Sequence, residues 1–222
     1  MASSKVAIVI PAFNEELAIG KVINEINFTI PEVTIVVVND CSNDKTAIIA
    51  KNAGAIVVDL MVNHGYSRAI EQGFHFCVNN MKVDYVITMD ADGQHHPESV
   101  REVFKAINEP GIELVIGKRQ EFARISEKLF GTYFNYKFGI TDPLCGLKAY
   151  NISLFKKYDR FESYDSIGTE LMSLGLANHV PFREIPVIIR QRGDEPRFGG
   201  KLSANKRIFK SLIKSIYHNS NW

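Results

Sequence analysis

The sequence of 222 residues lacks several features that would indicate other classes of protein. It has only three cysteines, Cys41, Cys77 and Cys145, and no Cys-x-x-Cys pair, so we expect neither a disulfide framework nor a zinc site. No run approaches the roughly 20 apolar residues that cross a bilayer. The first residues show no secretory leader. These absences predict a protein of a reducing, cytoplasmic compartment.

An excess of charge is also missing from the chain as a whole. The 26 Lys and Arg against 25 Asp and Glu give a formal net charge of +1, which gives no reason to expect a nucleic-acid partner. From Arg183 onward, however, nine basic residues stand against three acidic ones, a local balance of +6. This basic segment indicates an anionic surface or ligand.

Short apolar runs alternate with amphipathic segments along the chain. The first half predicts strands at 5–10, 33–38, 55–60, 83–89 and 113–117, with helices at 15–26, 44–52, 66–80 and 97–107. The second half predicts helices at 125–138, 167–177 and 203–218, a short strand ending at Tyr150 and a strand at 182–189. Apolar strands that alternate with helices predict an α/β fold, with a mostly parallel sheet covered on both faces.

Three polar loops follow predicted strands, at residues 11–15, 39–44 and 90–94. Ligands of such sheets bind beyond the carboxyl ends of the strands, so we expect these loops to converge. In the third loop, Asp90 and Asp92 leave a buried strand two positions apart, where both can face one hard cation such as Mg²⁺ or Mn²⁺. The alternative is an ordinary surface turn rich in Asp and Gly, but the preceding apolar strand favours the metal.

The other two loops are less specific when each is taken alone. Asn14 can cap the helix that follows, and Glu15 suits the first turn of that helix. The structure of the helix alone would therefore explain both residues. Asp40 is not needed for capping, because Ser42 or Asp44 can cap the next helix. A carboxylate at position 40 suits the donor N–H of a nucleotide base.

Taken together, the motifs resemble those of a known enzyme family. They are Pro11-Ala12-Phe13-Asn14-Glu15, Asn39-Asp40-Cys41-Ser42-Asn43-Asp44-Lys45-Thr46, Asp90-Ala91-Asp92-Gly93-Gln94-His95 and Asp142-Pro143-Leu144-Cys145-Gly146. With them the chain resembles glycosyltransferase family 2 over residues 5–205. Within that family it resembles the polyprenol-phosphate (dolichol-phosphate) mannosyl- and glucosyltransferase branch, whose Gln-His-x-Pro pattern follows the Asp-x-Asp here.

The resemblance implies a single domain with a nucleotide-binding GT-A fold. Its parts would be a nucleotide-sugar-binding half at 1–118, an acceptor-binding half at 119–202 and a basic amphipathic helix at 203–218. The implied nucleotide-sugar ligands are Pro11, Asn14, Glu15, Asp40, Asp90, Ala91, Asp92, Arg190 and Lys201. The implied Mg²⁺ or Mn²⁺ ligands are Asp90, Asp92 and Gln94. The loop that holds Arg190 and Lys201 is longer than the family's and lacks its serine, so a solvated basic loop is the alternative.

For the transfer step, the expected catalytic residues are Asp92, Arg119, Asp142 and Glu170. Arg119, Arg124 and Ser126 are expected to bind an acceptor phosphate, because guanidinium groups bind phosphate in bidentate fashion. A lipid phosphate is already ionised near neutral pH, whereas a hydroxyl acceptor requires a general base. Asp142 and Glu170 are the candidates for that base, although Glu170 could equally be structural.

The resulting hypothesis is an inverting transfer of a hexose, with GDP-mannose as the favoured donor, to polyprenyl phosphate at the cytoplasmic face of a membrane. One alternative within the family is transfer of a UDP-sugar such as UDP-glucose to a hydroxyl of a saccharide or glycolipid. Another is a nucleotide-sugar-binding module without catalysis. The basic helix at 203–218 is expected either to lie in an anionic membrane interface, which would make the protein peripheral, or to pack on the core.

Overall fold

The computed structural model describes residues 4–120, 124–191 and 201–219, in the last range with the side chains of 205–218. The elements in chain order are β1 (Val6–Ala12), α1 (Ile19–Thr29), β2 (Thr34–Asn39), α2 (Thr46–Asn52), β3 (Ile56–Asp59), α3 (Tyr66–Asn80), β4 (Tyr85–Thr88), α4 (Pro97–Ile107), β5 (Leu114–Arg119), α5 (Ile125–Phe138), β6 (Lys148–Asn151), α6 (Ile152–Tyr158), α7 (Glu170–Ala177), β7 (Phe182–Val187) and α8 (Lys201–Asn219). Among these residues, no helix is long and apolar enough to span a bilayer.

The strands form one seven-stranded sheet in the order β3-β2-β1-β4-β6-β5-β7. Neighbouring strands are parallel except at β6, which is antiparallel to both β4 and β5. Near-continuous Val and Ile runs make these strands apolar on both faces, as a sheet between two helical layers requires. The predicted α/β class with a mostly parallel sheet is confirmed.

Helices cover both faces of the sheet and bury two apolar clusters. One cluster joins α1, α2 and α4 to the sheet, and the other joins α3, α5, α6, α7 and α8 to its opposite face. The three cysteines are free, with Cys77 and Cys145 buried and Cys41 half-buried, as the sequence predicts.

Three helices begin later than predicted: α1 at Ile19, α2 at Thr46 and α7 at Glu170. The predicted start of α1 at Glu15 is wrong: the backbone N–H of Glu15 donates to the Thr46 hydroxyl over 2.8 Å, which holds this segment against the second polar loop. Leu17, an apolar residue within the predicted helix, precedes α1 and is 86% exposed. Helix α7 begins at Glu170 because Ile167 has φ 56° and Gly168 has φ 69°, which no α-helix accommodates.

Helices α5 and α8 each divide their apolar residues between the core and the surface. Phe130 and Phe134 of α5 are fully buried, and Ile208 and Leu212 of α8 are buried as well. Other apolar side chains of the same helices are exposed: Ile125, Leu129, Tyr136, Phe209, Ile213, Ile216 and Tyr217. One side of α8 therefore packs on the core, as one of the two predicted alternatives has it, and another side leaves apolar side chains exposed.

Candidate active site

A cleft of about 730 Å³ opens along the edge where the parallel strands end. The sheet order distributes its polar side chains from one end to the other. Asp40 follows β2, Pro11 belongs to β1, Asp90 follows β4, Lys148 begins β6 and Arg119 ends β5. Residue Lys148 lies at this edge because β6 runs antiparallel and therefore starts where β4 and β5 end. The predicted convergence of the three polar loops is confirmed at this cleft.

Asp90 is held from three sides in the middle of the cleft. The Tyr66 hydroxyl donates to its Oδ1 over 2.9 Å, and Nε2 of His95 lies 3.2 Å from its Oδ2. Gly146 borders the carboxylate on the third side. No side chain fits there, because a Cβ at position 146 would lie 2.5 Å from Asp90 Oδ2. The carboxylate is therefore fixed in orientation before any ligand binds.

The surroundings of Asp90 keep it ionised. Burial alone would raise the pKa of Asp90, but the hydrogen bond and charge of His95, the Tyr66 hydroxyl and the nearby Lys148 lower that pKa below its usual value. Burial, together with the charge of Asp90, raises the pKa of Tyr66 well above its usual value. Tyr66 therefore stays protonated and remains a hydrogen-bond donor to Asp90.

Asp92 and Gln94 line the cleft beside Asp90. The backbone N–H of Gln94 donates to Asp92 Oδ1 over 3.0 Å, which fixes the turn after β4, and Ala91 between the two carboxylates is buried. In the described part of the chain, no three His, Cys, Asp or Glu residues converge as a metal cage. Two carboxylates and an amide oxygen nevertheless fit Mg²⁺ or Mn²⁺, whose remaining positions water and phosphate oxygens fill.

At the β2 end of the cleft, loop contacts fix Asp40. Its two carboxylate oxygens accept the backbone N–H groups of His64 over 2.7 Å and of Gly65 over 2.8 Å. Pro11 and Glu15 also line this end, whereas Asn14 is not among the described residues that line it. Asn14 adopts φ 54°, and its Oδ1 accepts the backbone N–H of Asn43 over 2.8 Å, so it joins two of the loops.

At the opposite end, cationic side chains surround the cleft. Arg119 and Arg124 line it, with Glu127 between them. Glu127 accepts a hydrogen bond from Arg124 over 2.9 Å and lies 3.6 Å from Arg119. Asp142 accepts the Arg119 Nε and Nη2 groups over 2.7 and 2.8 Å. Burial alone would lower the pKa of Arg119, but the bonds with Asp142 raise it above its usual value.

Besides Asn14, four predicted site residues are not among the described residues that line the cleft: Ser126, Asp142, Glu170 and Arg190. Ser126 donates to Asn205 of α8 over 2.6 Å, and the Arg190 guanidinium donates to Glu25 of α1 over 2.8 Å. Glu170 is buried at the start of α7, where it pairs with Arg160. The side chain of Lys201 lies outside the described residues, as do residues 192–200.

Sequence reasoning missed several cleft residues, among them Tyr66, Lys148 and Arg207. Tyr66 begins α3, directly after the glycine that ends the loop after β3. Lys148 gave no signal, because its position depends on β6 entering the sheet between β4 and β5. Arg207 belonged to the basic segment, whose overall charge predicted an anionic ligand or surface.

Similarity to known proteins covers almost the whole chain. The model of glycosyl transferase family 2 matches residues 7–162. An uncharacterized protein of Methanocaldococcus jannaschii is 30% identical, over 96% of this chain and 93% of that one. The polyprenol monophosphomannose synthase of Mycolicibacterium smegmatis is 26% identical, over 99% of this chain and 87% of that one.

Solved structures agree with the fold. Glucosyl-3-phosphoglycerate synthase from Mycobacterium tuberculosis, crystallised with Mn²⁺, uridine diphosphate and phosphoglyceric acid, superposes with a TM-score of 0.75 at 20% identity. The match covers 96% of this chain and 78% of that one. The architecture is that of the GT-A glycosyltransferases. Its loops converge on a cleft with an Asp-x-Asp at the centre, and the chain is therefore a glycosyltransferase that belongs to glycosyl transferase family 2.

Proposed function

We propose that this protein transfers a hexose, preferentially mannose from GDP-mannose, to a polyprenyl phosphate with inversion at the anomeric carbon. One observation carries the proposal. The helices that close the cationic end of the cleft, α5 with Arg124 and α8 with Arg207, are the same helices that expose apolar side chains. An acceptor with a phosphate head and a hydrocarbon tail matches both properties.

The exposed apolar residues follow helical spacing on each of the two helices. Phe209, Ile213 and Tyr217 of α8 recur every fourth residue, and Ile125 and Leu129 of α5 do the same. The exposed lysines Lys206 and Lys210 accompany the α8 residues. Apolar side chains flanked by lysines suit the interface of an anionic membrane, so we infer peripheral attachment through α5 and α8.

The residues of the cleft would divide the work of transfer between donor and acceptor. We assign the base and ribose to the end formed by Pro11, Glu15 and Asp40, and the metal and diphosphate to Asp90, Asp92 and Gln94. A bound Mg²⁺ or Mn²⁺ would stabilise the negative charge that develops on the leaving nucleoside diphosphate. Asp90, already oriented by Tyr66 and His95, would need little rearrangement on binding. Ala91 completes this turn, and Arg190 and Lys201 remain predictions as donor ligands.

At the acceptor end, Arg119 and Arg124 would bind the phosphate of the lipid. An oxygen of that phosphate attacks the anomeric carbon while the bond from this carbon to the donor's phosphate oxygen breaks. The nucleoside diphosphate leaves with the bonding electrons, through an oxocarbenium-like state. One such displacement inverts the anomeric configuration.

The pairing of the carboxylates favours a phosphate acceptor over a hydroxyl acceptor, since a phosphate needs no general base. Asp142 is fully buried, and both of its oxygens accept from Arg119. Glu170 is engaged by Arg160 and Ser163. We therefore assign Asp142 to the orientation of Arg119 and Glu170 to the structure of α7. Ser126 would act indirectly, by fastening α8 to α5.

We propose that the protein acts at the cytoplasmic face of the membrane. Within the chain, we assign residues 1–118 to donor binding, 119–202 to acceptor binding and 203–218 to the membrane interface. The free cysteines support a reducing compartment. One alternative is transfer from UDP-glucose or another UDP-sugar to a hydroxyl acceptor. The other is a module that binds a nucleotide-sugar without catalysis.

The direct test is to incubate the protein with Mn²⁺, a panel of nucleotide-sugars and one of two kinds of acceptor. The first kind is polyprenyl phosphate, and the second is a hydroxyl acceptor, either a sugar or phosphoglycerate. We expect a glycosyl phospholipid, made fastest from GDP-mannose, with inverted anomeric configuration by NMR. Products formed only on hydroxyl acceptors would contradict the lipid-phosphate assignment. Nucleotide-sugar binding without any product would favour the binding module.

The metal assignment predicts a large loss of activity in Asp92→Asn. We expect kcat to fall at least about 100-fold, because charge stabilisation by such a metal is worth several kcal/mol. The matched control is Asp159→Asn, the same substitution at an exposed position. Titration with Mn²⁺ and GDP provides a second readout, in which Asp92→Asn should lose metal-dependent nucleotide binding. Turnover of Asp92→Asn at the wild-type rate would contradict a metal site at this position.

The assignment of Asp142 predicts that Asp142→Asn and Arg119→Lys behave alike. Each should raise the KM for polyprenyl phosphate by about 10-fold or more, as loss of a charged hydrogen bond implies, and leave the KM for the nucleotide-sugar nearly unchanged. The free-energy loss calculated from the KM of the double variant should be smaller than the sum of the losses of the two single variants, because both substitutions act on one contact. A general base at Asp142 would instead give a loss of kcat with an altered pH profile.

The interface assignment predicts weaker vesicle binding in the double variant Phe209→Glu/Ile213→Glu. Both residues are about half exposed, at 51% and 56%, so the fold should tolerate the change. Cosedimentation with phosphatidylglycerol vesicles measures it. Phe28→Glu on α1, where Phe28 is 91% exposed, is the control and should bind as wild type does. Equal binding by all three proteins would argue against the α5–α8 surface.

A further inference from the structure

We propose that Lys148 binds the phosphate of the acceptor beside Arg119 and orients the attacking oxygen toward the sugar. This inference rests on the proposed function, which it deepens by assigning a residue to the point of transfer. It comes from the position of Lys148 in the sheet, from the burial of its side chain and from the pairing of its charged neighbours.

The sheet puts Lys148 between the donor and the acceptor regions. In register it lies opposite Thr88 of β4 on one side and Ile116 of β5 on the other. Asp90 follows β4 and Arg119 ends β5, so these two residues are separated by β6 alone. Because neighbouring strands lie about 4.8 Å apart, the ends of β4 and β5 are about 10 Å apart, and the transferred sugar would lie within this interval, beside Lys148.

The side chain of Lys148 is largely buried, and in the described part of the chain no carboxylate forms a salt bridge with its ammonium group. The residue is only 4% exposed, and it lines the cleft. Within the described part of the chain it forms no salt bridge or side-chain hydrogen bond. Burial lowers the pKa of Lys148, while the charges of Asp142 and Asp90 act in the opposite direction. Lysine is rarely buried without a partner, so an anionic ligand would supply what the protein does not.

The neighbouring carboxylates are already engaged elsewhere. Asp142 accepts three N–H groups of Arg119, including the backbone N–H over 3.0 Å. Asp90 accepts the Tyr66 hydroxyl and contacts His95. These carboxylates already have other partners, so their charge alone is a weak explanation for a buried lysine at position 148. The charge of Arg119 on the adjacent strand also disfavours the charged form of Lys148, and an anion bound beside both cations would offset this repulsion.

The acceptor phosphate fits this anion better than the donor diphosphate does. On the β4 side, Asp90, Asp92 and Gln94 would hold the metal, and the metal would bind the diphosphate. Lys148 lies on the β5 side of Asp90, next to the residue proposed to bind the lipid phosphate. From there its ammonium can hold one phosphate oxygen while another attacks the anomeric carbon. The carbon–oxygen bond to the nucleoside diphosphate then breaks, and Lys148 neither gains nor loses a proton.

The experiment compares Lys148→Met, which removes the charge and keeps the length, with Lys148→Arg, which keeps the charge. Lys156→Met on α6, an exposed lysine, is the matched control. Calorimetry measures binding of geranyl phosphate without donor, and separately binding of GDP with Mn²⁺. We expect Lys148→Met to bind geranyl phosphate about 10- to 100-fold more weakly, as loss of a charged hydrogen bond implies. Lys148→Arg should retain most of the affinity, and GDP binding should be unchanged in all variants.

Steady-state kinetics should agree, with Lys148→Met raising the KM for polyprenyl phosphate and lowering kcat. Unchanged geranyl phosphate binding in Lys148→Met would overturn the inference, and so would a selective loss of GDP binding. A purely structural lysine would lower the unfolding midpoint and weaken both ligands together, which also contradicts it. A wild-type protein that binds GDP but no prenyl phosphate would instead overturn the proposed function itself.

Discussion

Strand β6 runs against its two neighbours, and the layout of the cleft depends on this reversal. The Thr88 hydroxyl of β4 donates to the Gly146 carbonyl over 2.9 Å, and the Gly117 N–H of β5 donates to the Leu147 carbonyl over 2.9 Å. These contacts bring the segment before β6 across the ends of two strands. Without them Asp90 would still follow β4 and Arg119 would still end β5, but these contacts would no longer hold the Asp90 carboxylate and the Arg119 guanidinium on either side of β6.

Much of the fold could be predicted from the sequence because its signals are local. Runs such as Val6–Ala12 and Thr34–Asn39 are apolar on both faces, which identifies buried parallel strands without knowledge of their neighbours. The rule that ligands bind at the carboxyl ends of such strands then placed Pro11, Asp40 and Asp90 at one edge. The family resemblance added the chemistry of the Asp-x-Asp motif.

What could not be predicted depends on contacts between distant segments. Tyr66 and His95 meet at Asp90 only after α3 and α4 pack on opposite faces of the sheet. Whether Asp142 is a base or the partner of Arg119 follows from a bidentate contact across 23 residues. Composition and periodicity describe one element at a time, so they cannot specify which carboxylate is paired and which faces a ligand.

The tight fit of Gly146 against Asp90 restricts how the donor preference of such a protein can be altered. Even a methyl group at position 146 would collide with the carboxylate, so this wall of the cleft is closed to redesign. The loop after β3 is different, because Met61 and Val62 are exposed and Asn63 reaches the cleft near Asp40. Under the proposed assignment of the base to the Asp40 end, variation in this loop would change the base that is recognised while the centre of the site stays intact, which makes the loop the natural place to engineer nucleotide selectivity.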